Sequence, residues 1–99
     1  MPSTTVYLGD ELSAAGYRLA GAAVRVPAAG AETDGLREAM RDAQVVLIGA
    51  GCAAAIPHSI LEPALASRSP MVMVVPDLDG TRPSIDSASK VRRLLGVET

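Results

Sequence analysis

Apolar positions along the chain fall into short continuous runs separated by segments with helical spacing. The runs are typical of β-strands, because they are too short for helices and are mostly rich in β-branched residues. They are Thr5–Leu8, Ala22–Val26, Val45–Ile48 and Met71–Val75. The last two are continuous, as expected of strands that helices cover on both faces. The second carries Arg25, which predicts a position at the edge of a sheet.

The segments between and after these runs repeat apolar residues every three or four positions, which predicts amphipathic helices. The predicted helices are Glu11–Ala20, Thr33–Arg41, Ala53–Ala66 and Pro83–Leu95. Pro57 suits a first helical turn, whereas Pro63 removes an amide inside the third helix. We therefore expect a short or kinked helix in that segment.

The first and last helices have the clearest stripes. The first stripe is formed by Leu12, Ala15, Gly16 and Leu19, and the last by Ile85, Ala88, Val91 and Leu95. We expect such stripes to face the sheet. Asp10 is placed to cap the start of the first helix, and Gly21 to end it.

Strict alternation of strands and helices with short connections predicts a parallel sheet with right-handed crossovers. The expected fold class is α/β, a flavodoxin-like three-layer sandwich. Its four-stranded sheet should have the order 2-1-3-4, with helices on both faces. No composition shift marks a second domain, so residues 1–99 are predicted to form one domain with a C-terminal helix over about 83–95.

Charge and composition exclude several functions. Nine basic residues against eleven acidic ones, without a basic run, argue against nucleic-acid binding. One cysteine and one histidine cannot build a Cys/His zinc site or an internal disulfide, so we expect no metal and a reducing, intracellular setting. No stretch approaches the roughly twenty apolar residues of a membrane-spanning helix, so direct membrane insertion is not expected.

The segment Gly49–Ala54 spells G-x-G-x-x-A directly after a strand, which is the local pattern of a dinucleotide-binding turn. It follows the third strand rather than the first, and the acidic residue expected to hold a ribose, Asp77, comes late. A structural tight turn is therefore the favoured interpretation. The alternative is a small ligand-, nucleotide- or flavin-binding module that uses Asp10, Gly49, Gly51 and Cys52 at the carboxyl edge of the sheet.

Catalytic chemistry is not predicted. Cys52 and His58 are six residues apart with Pro57 between them, and no acid is evident to orient the histidine. We expect a buried small cysteine and an exposed histidine, and no catalytic residue.

Several segments resemble the F subunit of the V-type and A-type rotary ATPases. The resemblance begins with Gly9-Asp10 and the segment Gly16-Tyr17-Arg18-Leu19-Ala20-Gly21. It continues through Ile56-Pro57, Val75-Pro76 and the closing Val91–Val97, and so covers nearly the whole chain.

This resemblance implies a non-catalytic subunit of the central stalk, which couples ATP hydrolysis or synthesis to proton or sodium transport. The implied partner is the coiled coil of a subunit-D-like protein, with the nucleotide-binding A and B head subunits as further candidates. No cofactor is implied, and the expected location is cytoplasmic, peripheral to the membrane within the ATPase complex. The candidate interface residues are Tyr17, Arg18, Arg92 and Arg93. An unrelated protein-interaction domain on the same fold remains a further alternative.

Overall fold

The structure is a computed structural model that describes residues 5–78. The strands are β1 (Thr5–Leu8), β2 (Ala23–Arg25), β3 (Val45–Gly49) and β4 (Met71–Val75). The helices in this part of the chain are α1 (Glu11–Leu19), α2 (Glu32–Asp42), α3 (Ala50–Ala54) and α4 (His58–Leu65). Each predicted strand is present, and the boundaries differ from the predicted ones by one residue at most.

The four strands form one parallel sheet in the order β2-β1-β3-β4, which confirms the predicted topology. The strands are in register across the sheet, with Tyr7 of β1 beside Leu47 of β3, and Leu47 beside Met73 of β4. The edge position predicted for β2 is also confirmed. The fold is α/β and flavodoxin-like.

Ion pairs of Arg25 link the edge strand β2 to α2. Its guanidinium forms ion pairs with Glu38, at 3.0 Å, and with Asp42. All three side chains are partly exposed, so each pair contributes at most about 1 kcal/mol. They link the edge strand to two residues one turn apart on α2.

The helices cover the two faces of the sheet unequally. The main core lies under α2, α3 and α4, where one face of the sheet meets the buried sides of these helices. The β-strand residues in this core are Val6, Leu8, Val46, Ile48, Val72 and Val74. On the other face, α1 packs against β1 and β2. The sheet therefore lies between two helical layers.

The third helical segment differs from its prediction. It forms two helices, and the break lies at Ala55–Pro57 instead of at Pro63. A proline disfavours helical conformation in the residue before it, so the helix cannot continue through Ile56, and α3 ends at Ala54. The carbonyl of Pro57 then accepts hydrogen bonds from Ile60 and Leu61 to start α4. Pro63 is tolerated inside α4 on an exposed side, where water can reach the freed carbonyl.

The predicted orientation of α1 is wrong. The buried residues of this helix are Ser13 and Ala14, whereas Leu12 is 61% exposed and Leu19 is 91% exposed. The small Ser13 and Ala14 let the helix lie close to β1, where the Tyr17 ring stacks on the Tyr7 ring with centroids 4.3 Å apart. The larger aliphatic side chains consequently point away from the sheet.

The helix predicted over 83–95 lies outside the described residues. Within residues 5–78, no helix is long and apolar enough to cross a membrane.

Candidate functional site

The carboxyl edge of the sheet brings a tyrosine hydroxyl and two carboxylates together. The Tyr7 hydroxyl donates to Asp77 Oδ1 at 3.3 Å and lies 3.5 Å from Asp10 Oδ1. Tyr7 is fully buried, and Asp77 is only 8% exposed. Since a hydroxyl has a single proton, the shorter contact to Asp77 is the main hydrogen bond.

Glycines make room for this cluster. A Cβ on Gly49 would lie 2.4 Å from the Tyr7 hydroxyl and 2.3 Å from Asp77 Oδ1. A Cβ on Gly9 would lie 2.3 Å from the same hydroxyl. These distances are far below ordinary carbon–oxygen contact, so the tyrosine ring reaches the edge only because these positions have no side chain.

The Tyr7 hydroxyl is protonated at neutral pH. Burial raises the pKa of Tyr7 well above its usual range, and the negative charges of Asp77 and Asp10 raise it further. A hydrogen bond with Ser13 acts in the opposite direction without reversing the result. At neutral pH, Tyr7 therefore acts as a hydrogen-bond donor to Asp77.

Asp77 also binds the turn at the start of the G-x-G-x-x-A segment Gly49–Ala54. The amide of Gly51 donates to Asp77 Oδ2 at 3.0 Å. This backbone amide is one that a phosphate would need, and here a carboxylate of the same chain occupies it. A phosphate would also meet the charges of Asp77 and Asp10. The structure thus places Asp10, Gly49 and Gly51 at one edge, as expected. The hydrogen-bonding groups of this cluster bind one another within the chain.

Asp10 caps α1 as predicted. Its Oδ2 accepts a hydrogen bond from the backbone amide of Ser13 at 3.0 Å. Hydrogen bonds from Ser13, first from its side chain and then from its backbone, hold the pKa of Asp10 below its usual value. The carboxylate is consequently ionised at neutral pH and stabilises the start of the helix.

Cys52 lacks the properties of a nucleophile. Burial raises the pKa of its thiol to about 11, and the carboxylates of Glu32 and Asp77 act in the same direction. His58 is exposed, and its imidazole contacts the Glu62 carboxylate one turn later in α4. Within residues 5–78, no group of three or more His, Cys, Asp or Glu side chains could hold a metal ion.

The candidate interface residues on α1 have different surroundings. Tyr17 packs inward through its stack on Tyr7, whereas Arg18 is exposed. Arg92 and Arg93 lie outside the described residues. Beside Arg18, three exposed apolar residues form a surface that we call the α1 apolar stripe; they are Leu12, Ala15 and Leu19.

A comparison with protein families matches residues 6–91 to the family described as ATP synthase (F/14-kDa) subunit. The chain belongs to this family. The match covers most of the sequence and confirms the resemblance to the F subunit of the V/A-type rotary ATPases. The parallel sheet with the order 2-1-3-4 agrees with this assignment. No curated protein matches the sequence.

Family membership makes this chain a subunit of an ATP synthase complex, so other subunits must contact the outer surfaces of the domain. The α1 apolar stripe is the clearest of these surfaces. A subunit of a large assembly needs surfaces that other subunits cover, and exposed apolar side chains on one helix face are suited to that role.

Sequence reasoning missed the Tyr7–Asp77 contact. It considered Asp77 only as a ribose ligand and Tyr7 only as a strand residue. Two signals were available: Gly9 follows Tyr7 by two residues, just past the end of β1, and Asp77 follows β4 at the same edge of the sheet. Neither signal identifies the partner without the topology.

Proposed function

We propose that the chain is a non-catalytic central-stalk subunit of a V/A-type ATPase. In this role it docks on the coiled coil of a subunit-D-like partner and couples ATP hydrolysis or synthesis to proton or sodium transport. It would act in the cytoplasm, at the periphery of the membrane, with the A and B head subunits as further neighbours. Family membership supports the assignment to the complex.

The α1 apolar stripe is the observation that supports this mode of docking. Leu12, Ala15 and Leu19 are spaced by three and four residues, which is the spacing of the apolar seam between helices in a coiled coil. Leu12 and Leu19 are more than half exposed. The N-cap at Asp10 and the stack of Tyr17 on Tyr7 anchor α1 on the sheet. A helix of the partner can therefore add to α1 without rearrangement of the domain.

Polar residues beside the stripe suit the same partner. Arg18 is exposed in the last turn of α1, where its guanidinium can bind a carboxylate of a neighbouring helix in a two-pronged contact. Tyr17 supports the interface indirectly, because its ring fixes α1 on the sheet. Arg92 and Arg93 are proposed as contacts from the C-terminal segment.

The proposal is tested by the affinity of the full chain for the purified coiled-coil stalk subunit of the same complex. Leu12→Glu and Leu19→Glu should each weaken binding by about tenfold or more, because each places a charge in an apolar contact. Both changes are at exposed positions, so the free energy of unfolding should shift by less than about 0.5 kcal/mol. Calorimetric titration gives the affinities, and thermal unfolding gives the stability.

Ser59→Glu is the matched control, since Ser59 is exposed on α4 on the opposite side of the sheet. This variant should bind as tightly as the original chain. Full affinity in the double variant Leu12→Glu/Leu19→Glu would refute the proposed surface, and no binding by the original chain would refute the stalk function.

A further inference from the structure

An open groove lies between α2 and α4, on the side of the sheet opposite α1. We call it the α2–α4 groove; its volume is about 250 Å³, and it is lined by Leu36, Arg37, Met40, Ile60, Pro63 and Ala64. The side chains become more exposed from the floor, at Leu36 and Ala64, to the rim, at Arg37 and Pro63. The groove is therefore apolar at its floor and carries one cation at its rim.

The size and openness of the groove favour the side chains of a protein partner over a small molecule. Sites that enclose a small ligand have volumes of roughly 300–1,000 Å³ and bury most of the ligand. The α2–α4 groove is smaller, at about 250 Å³, and is open to solvent along its length. A groove between two helices is suited to a third helix, which places apolar side chains on the floor and leaves its opposite face in water.

The charges around the groove favour an acidic occupant. Glu38 and Asp42 lie on the other flank of α2, where both pair with Arg25. Arg37 lines the groove and forms no ion pair with any other of the residues 5–78. Asp34, one turn earlier in α2, is exposed and does not line the groove. A carboxylate of an occupant would therefore meet an unpaired guanidinium beside an apolar floor.

Two other occupants do not meet these requirements. The groove and the α1 apolar stripe lie on opposite faces of the sheet, so one helix cannot cover both. Two copies of the chain that meet groove to groove around a two-fold axis would bring their Arg37 side chains together, and like charges at a contact are unfavourable. The occupant is therefore a separate helix with a negative charge.

We propose that the α2–α4 groove binds an amphipathic helix of a second partner subunit, with an Asp or Glu carboxylate of that helix on Arg37. The chain would then contact two partners through opposite faces of one sheet. The inference rests on membership of an ATP synthase complex, which contains further subunits, and not on the docking proposed for α1.

Thiol labelling of the full chain tests the occupant. Cys52→Ser removes the only cysteine, and Pro63→Cys then places a thiol at the rim of the groove while it restores an amide to α4. Glu62→Cys is the matched control, since Glu62 is also exposed but lies on the opposite flank of α4. Both thiols should react rapidly with a maleimide in the isolated chain. Mass spectrometry of the chain measures the labelling.

Assembly of the complex should protect only the groove. In the purified ATPase complex assembled with each variant, labelling at position 63 should be at least about tenfold slower than in the isolated chain, because an interface excludes the reagent. Labelling at position 62 should change by less than about twofold, since that flank of α4 stays outside the contact. Rapid labelling at position 63 in the complex, or equal protection of both positions, would overturn the proposal.

The other occupants predict different results. Labelling at position 63 that becomes slower as the concentration of the isolated chain rises would indicate a second copy. Protection by the purified coiled-coil subunit alone would indicate the partner that docks on α1. Either result overturns the proposal, which requires the chain bound to the coiled-coil subunit alone to be labelled at position 63 as fast as the isolated chain.

Arg37→Glu tests the charge of the occupant. In the complex it should accelerate labelling at position 63 at least about fivefold, because it places one carboxylate against another. Arg68→Glu makes the same change of charge at an exposed position outside the groove and should leave the protection intact. Each rate is divided by the rate of the same variant as an isolated chain, which removes any effect of the new charge on the thiol. Full protection in Arg37→Glu would refute an acidic occupant.

Failure of this proposal is distinguishable from failure of the stalk function. Absence of binding to the coiled-coil subunit would refute the stalk function. The comparison of positions 62 and 63 within the assembled complex does not use that affinity, so its outcome decides the groove separately.

Discussion

At the residue scale, the Tyr7 hydroxyl is the group on which the carboxyl edge depends. It provides the side-chain donor for the buried Asp77 carboxylate, whose other oxygen binds the Gly51 amide. A buried carboxylate without its donors is costly, because desolvation is no longer compensated. The edge is consequently a structural element that joins β1, β4 and the start of α3.

Tyr7→Phe should lower the free energy of unfolding by about 1–3 kcal/mol, since a hydrogen bond to a charged group is lost while the ring remains. Tyr17→Phe is the matched control. It keeps the ring stack and removes a hydroxyl from a partly exposed residue, so its effect should be below about 0.5 kcal/mol. Chemical denaturation followed by far-ultraviolet circular dichroism measures both variants. Equal stability of Tyr7→Phe and the original chain would contradict the role assigned to this hydroxyl.

The sequence predicted the cap at Asp10 but not the contact between Tyr7 and Asp77, and the reason is physical. The cap at Asp10 is formed with an amide three residues away, so the sequence around it contains the whole interaction. The contact between Tyr7 and Asp77 joins positions 70 residues apart. Only the folded topology brings such positions together, and one sequence contains no record of that pairing.

At the element scale, α1 shows what periodicity can and cannot predict. Its spacing correctly indicated a helix, and its ends agree with the predicted ones within one residue. The spacing did not indicate which side is buried, because small residues on one side can pack more closely on a strand than leucines on the other. Ser13 and Ala14 do so, and the exposed leucines become available for binding.

Asp10→Ala should destabilise the protein by about 1 kcal/mol at neutral pH, because α1 loses its N-terminal cap. The pKa of Asp10 is lowered in the folded protein, so the stabilisation is present above the unfolded value of 3.8 and is lost as the pH falls below it. The difference in the free energy of unfolding between Asp10→Ala and the original chain should therefore become smaller at acidic pH. Thermal unfolding at several pH values measures it. A difference that is constant down to strongly acidic pH would show that the carboxylate charge has no part in the cap.

At the scale of the whole molecule, the fold followed from the order of elements. Alternating strands and helices with short connections permit few right-handed arrangements, and the predicted sheet order is the one observed. The function did not follow from the fold, since many unrelated proteins share it. The family match supplies the assignment to an ATP synthase complex, and the surfaces of the domain indicate how the chain could fit into it.

The ligand-binding alternative makes a prediction for the intact protein. A nucleotide or flavin present at a hundred times its dissociation constant would stabilise the fold by about 2.7 kcal/mol and raise the Tm by about 10 °C or more. Because Asp77 occupies the Gly51 amide, we expect millimolar ATP or FMN to leave the Tm unchanged at matched ionic strength. A clear concentration-dependent rise with either compound would favour the alternative.

The stacked tyrosines have a consequence for spectroscopy. The sequence contains two tyrosines and no tryptophan or phenylalanine, so every aromatic side chain of the protein belongs to the contact between β1 and α1. Near-ultraviolet absorption, fluorescence and dichroism therefore report on one interface and not on an average over the fold. Binding of a partner to the outer side of α1 can be observed through these two rings without attaching a dye.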